Sequence, residues 1–141
     1  MSVNTKQVGD LTVTAVSDGV LYSNHDVILG VDKDDSARLT GIAYGQPLPL
    51  DVNSFLIRYN GKLILSDAGS GHTMQPTLGK LPQNLRAIGA DPASIDIVML
   101  THLHSDHSLG LVDEAGRAVF AKAELMVHEA EAAFWLDRAL Q

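Results

Sequence analysis

Apolar and polar residues alternate over Leu11-Thr12-Val13-Thr14-Ala15-Val16. This period of two predicts a half-buried strand, closed by Asp18-Gly19. From Val20 to Leu50 the pattern dissolves into acids, glycines and prolines, which predicts a long irregular segment of the functional kind. Val52 to Tyr59 and Lys62 to Ser66 are two β-rich runs. Asn60-Gly61 between them predicts a tight hairpin, because both residues tolerate positive φ. The second run leads into Ser66-Asp67-Ala68-Gly69-Ser70-Gly71, where glycines allow a sharp exit from the sheet.

Leu81 to Ile88 reads as a short helix stopped by Gly89, and Asp91-Pro92 as a helix cap followed by proline at the first position. Ile95 to Leu100 is almost wholly apolar and predicts a strand covered on both faces. Arg117 to Phe120 and Glu124 to His128 predict two further short strands. Glu129 to Leu140 predicts a closing helix, with acids early and Arg138 late as the helix dipole favours. Strands and helices interleave, so the class is α/β. No internal repeat or low-complexity tract interrupts a single domain over 1–141.

Composition narrows the chemistry. The chain has 141 residues, enough to bury a core, with 45% hydrophobic and 19% charged positions. A net charge of -7 without a basic cluster argues against nucleic acid or an anionic membrane as partner. With no cysteine, imidazole and carboxylate are left as the strong metal ligands. The start lacks an apolar leader core and no stretch reaches the length of a membrane span, so a cytoplasmic protein is expected.

Against that background one cluster stands out: His102-Leu103-His104-Ser105-Asp106-His107, directly after the apolar strand. If the chain stays extended, His102 and His104 point to one side while Leu103 turns into the core. Asp106 and His107 follow where the chain must turn, and can approach the same space from another direction. The arrangement suits two neighbouring cations, His102 and His104 serving one, Asp106 and His107 the other. Such donors bind zinc at roughly 2.0–2.2 Å, and iron or manganese also accept them. A chance cluster of solvated loop histidines is the bland alternative, and the density of ligands at a strand end argues against it.

The run Asp96 to His107 resembles the hallmark motif of the metallo-β-lactamase superfamily. Leu65-Ser66-Asp67-Ala68-Gly69 is similar to that family's earlier strand-end motif, and Val52 to Ile57 to the strand before it. Val8 to Val13 with Ser17-Asp18-Gly19, and the stretch Thr77 to Asp96, resemble the methyl parathion hydrolase and lactonase-like branch. The resemblance implies an αββα sandwich, of which this chain would supply the first half and the start of the second. It implies a two-metal site, most simply two Zn2+, with His102 and His104 on the first and Asp106 and His107 on the second. Asp67 would lie behind these ligands and orient them, and Asp106 would also serve catalysis by holding the attacking water. The implied chemistry is hydrolysis of a small ester, lactone or organophosphate by a metal-bound hydroxide.

The family's site uses further histidine and aspartate ligands that do not follow in this chain. The expectation is therefore an incomplete enzyme: a piece of a longer protein, a truncated gene product, or one part of an assembly. Exposed sheet edges and an uncovered apolar face would favour a homo-oligomer or a missing C-terminal half as partner. The rival reading is a catalytically inactive, self-associating module with a vestigial metal site; a redox branch with iron ranks below both.

Other candidates are weaker. His72 can line the pocket or simply sit in solvent. His25 reads as a surface residue, His128 as a cap, and Phe134 and Trp135 as packing residues of the last helix. Asp32, Asp34 and Asp35 read as a solvated loop, since the spacing of a calcium loop is absent.

Overall fold

A computed structural model describes residues 4–137. In chain order the elements are β1 (Asn4–Val8), β2 (Leu11–Ser23), α1 (Lys33–Thr40), β3 (Leu48–Tyr59), β4 (Lys62–Ser66), α2 (Leu81–Ala87), β5 (Ile97–Met99), α3 (Ser105–Ser108), β6 (Glu124–Met126) and α4 (Glu129–Leu136). The six strands form one sheet in sequence order. β1 to β4 are antiparallel neighbours, whereas β4, β5 and β6 run parallel. This mixed α/β sheet is the α/β class expected.

The Asn60-Gly61 hairpin forms as its residues dictate, with φ of 48° and 76° and Tyr59 opposite Lys62. Gly89 ends the α2 region in a left-handed conformation, and the Asp91 side chain accepts the N–H of Ala93 to start a short 3-10 turn. His128 does cap α4, its Nδ1 accepting from the Ala130 N–H at 3.1 Å. Residues 138–140 of the expected closing helix, Arg138 included, lie outside the described residues.

Four expectations are corrected. β2 does not stop at Asp18-Gly19 but runs to Ser23, absorbing the glycine in a register shift between Ser17 and Gly19. The Val20–Leu50 segment is largely ordered: strand ends flank a 3-10 turn at His25–Val27 and helix α1. Asp32, Asp34 and Asp35 are the start of that helix. The Asp32 carboxylate accepts the Asp35 N–H at 2.8 Å, and acids in a first turn suit the dipole. Arg117–Phe120 forms no strand, only a single bridge between Val112 and Ala118, because Asp113 draws the Arg117 backbone and side chain into a local loop.

The core lies on one face of the sheet. Leu56, Leu65 and Val98 pair across β3, β4 and β5, and Leu81, Leu85 and Ile95 close over them, all six fully buried. Each such side chain contributes roughly 1.5–3 kcal/mol by leaving water. The opposite face differs from the expected double cover of β5. Phe55, Met99 and Met126 share one cross-strand row and are each about 40–50% exposed, because no described element packs on that side.

Candidate metal centre

Pairing of Ser66 with Met99 at the carboxyl ends of two parallel strands places the loops after β4 and β5 side by side. Loops at that end of a sheet form the natural crevice for ligands. The Asp67 N–H donates to the Met99 carbonyl at 2.9 Å and the Ala68 N–H to the His107 carbonyl at 2.8 Å. The two loops are thus laced together by backbone before any side chain is considered.

Asp67 sits at φ 63°, a left-handed conformation that costs a non-glycine residue roughly 1–2 kcal/mol. That conformation aims its buried carboxylate at the neighbouring loop. Oδ1 accepts the Thr101 N–H at 2.8 Å and lies 3.0 Å from the Thr101 hydroxyl, while Oδ2 is 3.1 Å from His107 Nδ1. The Thr101 hydroxyl is in turn 3.0 Å from His102 Nδ1. A carboxylate only accepts, so His107 donates from Nδ1 to Asp67. The Thr101 hydroxyl donates to Asp67 and accepts from His102 Nδ1. Both imidazoles are then held in the tautomer whose Nε2 lone pair is free.

The four motif residues meet. Ring centroids of His102 lie 4.6 Å from His104 and 4.0 Å from His107, and His107 Nε2 is 3.3 Å from Asp106 Oδ2. Leu103 packs against the core between the two histidines, as the alternation requires. Among the described residues no three acidic or imidazole groups stand ready-spaced around one point for a metal ion. The donor set nonetheless fits zinc in chemistry: imidazole nitrogens in the ligand tautomer and a carboxylate, with side-chain rotation left to complete the geometry.

Other candidates fall elsewhere. His72 is exposed and borders a cavity of about 160 Å3 with Gly110, Val112 and Asp113, whose described walls do not include the motif residues. His25 is not a surface residue: it is 3% exposed, its Nδ1 lies 2.7 Å from the Ser36 hydroxyl, and Tyr44 covers it because α1 folds back on the turn before it. Phe134 and Trp135 do not pack inward but stand exposed on α4, where the Trp135 ring meets His104 edge-on at 5.7 Å.

Two supports were not legible as such. Asp18, 1% exposed, accepts the N–H groups of Ser70, Gly79 and Leu81 at 2.9, 3.2 and 3.0 Å and so anchors the loop after Asp67 to β2. Its buried position inside a strand bulge gives no local signal beyond an Asp-Gly pair. Glu131, in the first turn of α4, accepts the Leu103 N–H at 2.9 Å, and in sequence it reads only as a dipole-favoured acid.

Residues 47–139, which include the strand-end loops and the His102–His107 cluster, match the metallo-beta-lactamase superfamily. The chain belongs to that superfamily. The crystal structure of the hydrolase AbOPH of the beta-lactamase superfamily superposes with a TM-score of 0.86 at 30% identity, covering 96% of this chain and 47% of that one. AidC, a dizinc quorum-quenching lactonase, shares the fold with a TM-score of 0.83 at 24% identity, again over 96% and 47%. The N-acyl homoserine lactonase AiiB of Agrobacterium fabrum is 27% identical over 140 residues, 86% of this chain and 46% of that protein. Ribonuclease Z of Alkaliphilus oremlandii is 35% identical over 74 residues, 52% of this chain and 20% of that protein. The chain spans half or less of the length of each of these relatives.

Proposed function

We propose that this chain carries the first ligand half of a metal-dependent hydrolase acting on a small ester, lactone or organophosphate. The observation that carries the reading is the Asp67–Thr101–His102/His107 network, which puts the ring protons of two imidazoles on Nδ1 and leaves their lone pairs on Nε2, that of His107 beside Asp106. His102 and His104 would hold one cation and Asp106 and His107 a second. A zinc ion held by these residues would supply a water of lowered pKa and a Lewis acid for the bond under attack. The chain's own part is to orient donors: Asp67 fixes tautomers, Asp106 offers an oxygen to a water proton, and Leu103 anchors the strand end in the core.

Likeness to the hydrolase AbOPH supports hydrolysis, and likeness to the N-acyl homoserine lactonase AiiB supports a lactone-sized substrate. The net charge of -7 speaks against the polyanionic substrate of a ribonuclease. Among the described residues no helix is long and apolar enough to cross a membrane.

The test is hydrolysis of a panel of esters, lactones and organophosphates by the complete parent protein, with and without a chelator. Expected are loss of most turnover on chelation and a drop of orders of magnitude in His104→Ala and Asp106→Asn. Unchanged turnover in either variant would remove the roles assigned.

A second reading, a self-associating module with a vestigial site, draws on the exposed row of Phe55, Met99 and Met126. A stable metal-poor oligomer without turnover, seen by mass measurement and metal analysis, would favour it.

A further inference from the structure

The peptide between the first two histidines is held from outside the motif. β6 pairs with β5, so the chain leaving Met126 re-enters beside the loop that carries His102 and His104, and α4 starts there. Glu131 Oε2 accepts the Leu103 N–H at 2.9 Å and the indole N–H of Trp135 at 3.1 Å. Glu131 and Trp135 are four apart on one helix face, which is why a single carboxylate reaches both. The indole then stands edge-on to the His104 ring, centroids 5.7 Å apart at 86°.

The geometry points to Glu131 as a positioning residue for the histidine pair, with Trp135 as the side wall of His104. The inference rests on the reading of His102 and His104 as metal ligands. The Leu100 N–H donates to the Met126 carbonyl, which ties the chain to β6 just before the motif. Beyond it the Leu103 N–H is the backbone group whose capture sets the direction of both flanking side chains, because successive residues of an extended chain point to opposite sides. A carboxylate accepting two N–H groups on one oxygen loses rotamer freedom before a cation arrives. Groups that orient ligands in this way typically alter metal affinity roughly 10- to 100-fold. If Glu131 merely tacked α4 to the body, its loss would lower stability and leave affinity untouched.

The chain has one tryptophan, so its emission reports Trp135 alone. The experiment titrates the metal-free chain with Co2+, following the visible absorption of the bound ion and the tryptophan emission together; Co2+ quenches indole emission at short range. In the wild type both signals are expected to saturate at one midpoint. In Glu131→Ala the midpoint is expected to move roughly 10- to 100-fold higher, and in Glu131→Gln, which keeps an acceptor oxygen, to return close to wild type. Co2+ uptake that leaves Trp135 emission unchanged, or equal affinity in Glu131→Ala, overturns the proposal. A wild type that takes up no Co2+ overturns instead the metal reading on which it stands. Should Glu131→Ala fail to fold, Glu131→Asp, one methylene too short to hold the Leu103 N–H, takes its place, and Co2+ affinity equal to wild type there overturns the proposal.

Discussion

The Asp67 carboxylate lies 3.1 Å from Nδ1 of His107, although forty residues separate them in sequence. The contact exists because β4 and β5 end together, and because Asp67 accepts a left-handed backbone to face the next loop. An acidic partner behind an imidazole sets which nitrogen keeps its lone pair.

Replacing Asp67 tests that role. Asp67→Ala strips the Thr101 N–H and the His107 ring of their acceptor, so about 1–3 kcal/mol of stability should be lost in urea titrations. Zinc affinity by equilibrium dialysis should fall roughly 10- to 100-fold. Asp67→Asn should retain more stability than affinity, since an amide can accept from Thr101 yet carries no charge for the imidazole.

Asp18 should matter for folding rather than for chemistry. Its carboxylate satisfies three backbone N–H groups of the loop that begins at Asp67. Asp18→Ala leaves those donors without a partner and should cost about 3 kcal/mol or more. The same change should raise amide exchange at Ser70, Gly79 and Leu81 above that of β3, where the ladder is untouched.

Gly110 offers a steric test. A Cβ there would stand 2.0 Å from the Ala68 carbonyl oxygen, which is backbone and cannot swing away. Gly110→Ala should destabilise the chain by roughly 1–3 kcal/mol and loosen the Ala68–His107 hydrogen bond, visible as faster exchange of the Ala68 amide. A neutral outcome would mean that the two loops are less tightly apposed than their distances state.

Asp96 predicts a pH dependence. The Leu63 N–H, first, and the Lys122 ammonium, second, favour its ionised form and hold its carboxyl below the ordinary value of 3.8. A lowered folded pKa stabilises the fold above the unfolded value and ceases to do so as pH falls through the folded one. Asp96→Asn should therefore melt below wild type at pH 7, and the gap should close on acidification from roughly pH 4 downward. Salt should narrow the Lys122 share of the gap, since that pair is partly exposed.

The hairpin at Asn60-Gly61, the helix stop at Gly89 and the histidine-aspartate cluster at His102–His107 were legible in sequence because each rests on local chemistry: backbone conformation or residue type at short spacing. Asp67 was legible as a loop residue through its glycines. The length of β2 was not, since a strand passes through Asp18-Gly19 only when a bulge is paired on β3. The burial of His25 depends on α1 folding back over it, and Tyr44 with Ser36 are distant from it along the chain.

By itself the sequence determined which donor atoms stand close together and that they follow a largely apolar strand. Periodicity and residue chemistry act over a few residues, and the motif spans six. Only the tertiary structure decided what holds those atoms: Asp67 behind His107, Asp18 beneath the loop, Glu131 on the Leu103 peptide. Those contacts join residues 28 to 63 positions apart, and they arise from strand order and parallel pairing, which no short-range pattern encodes.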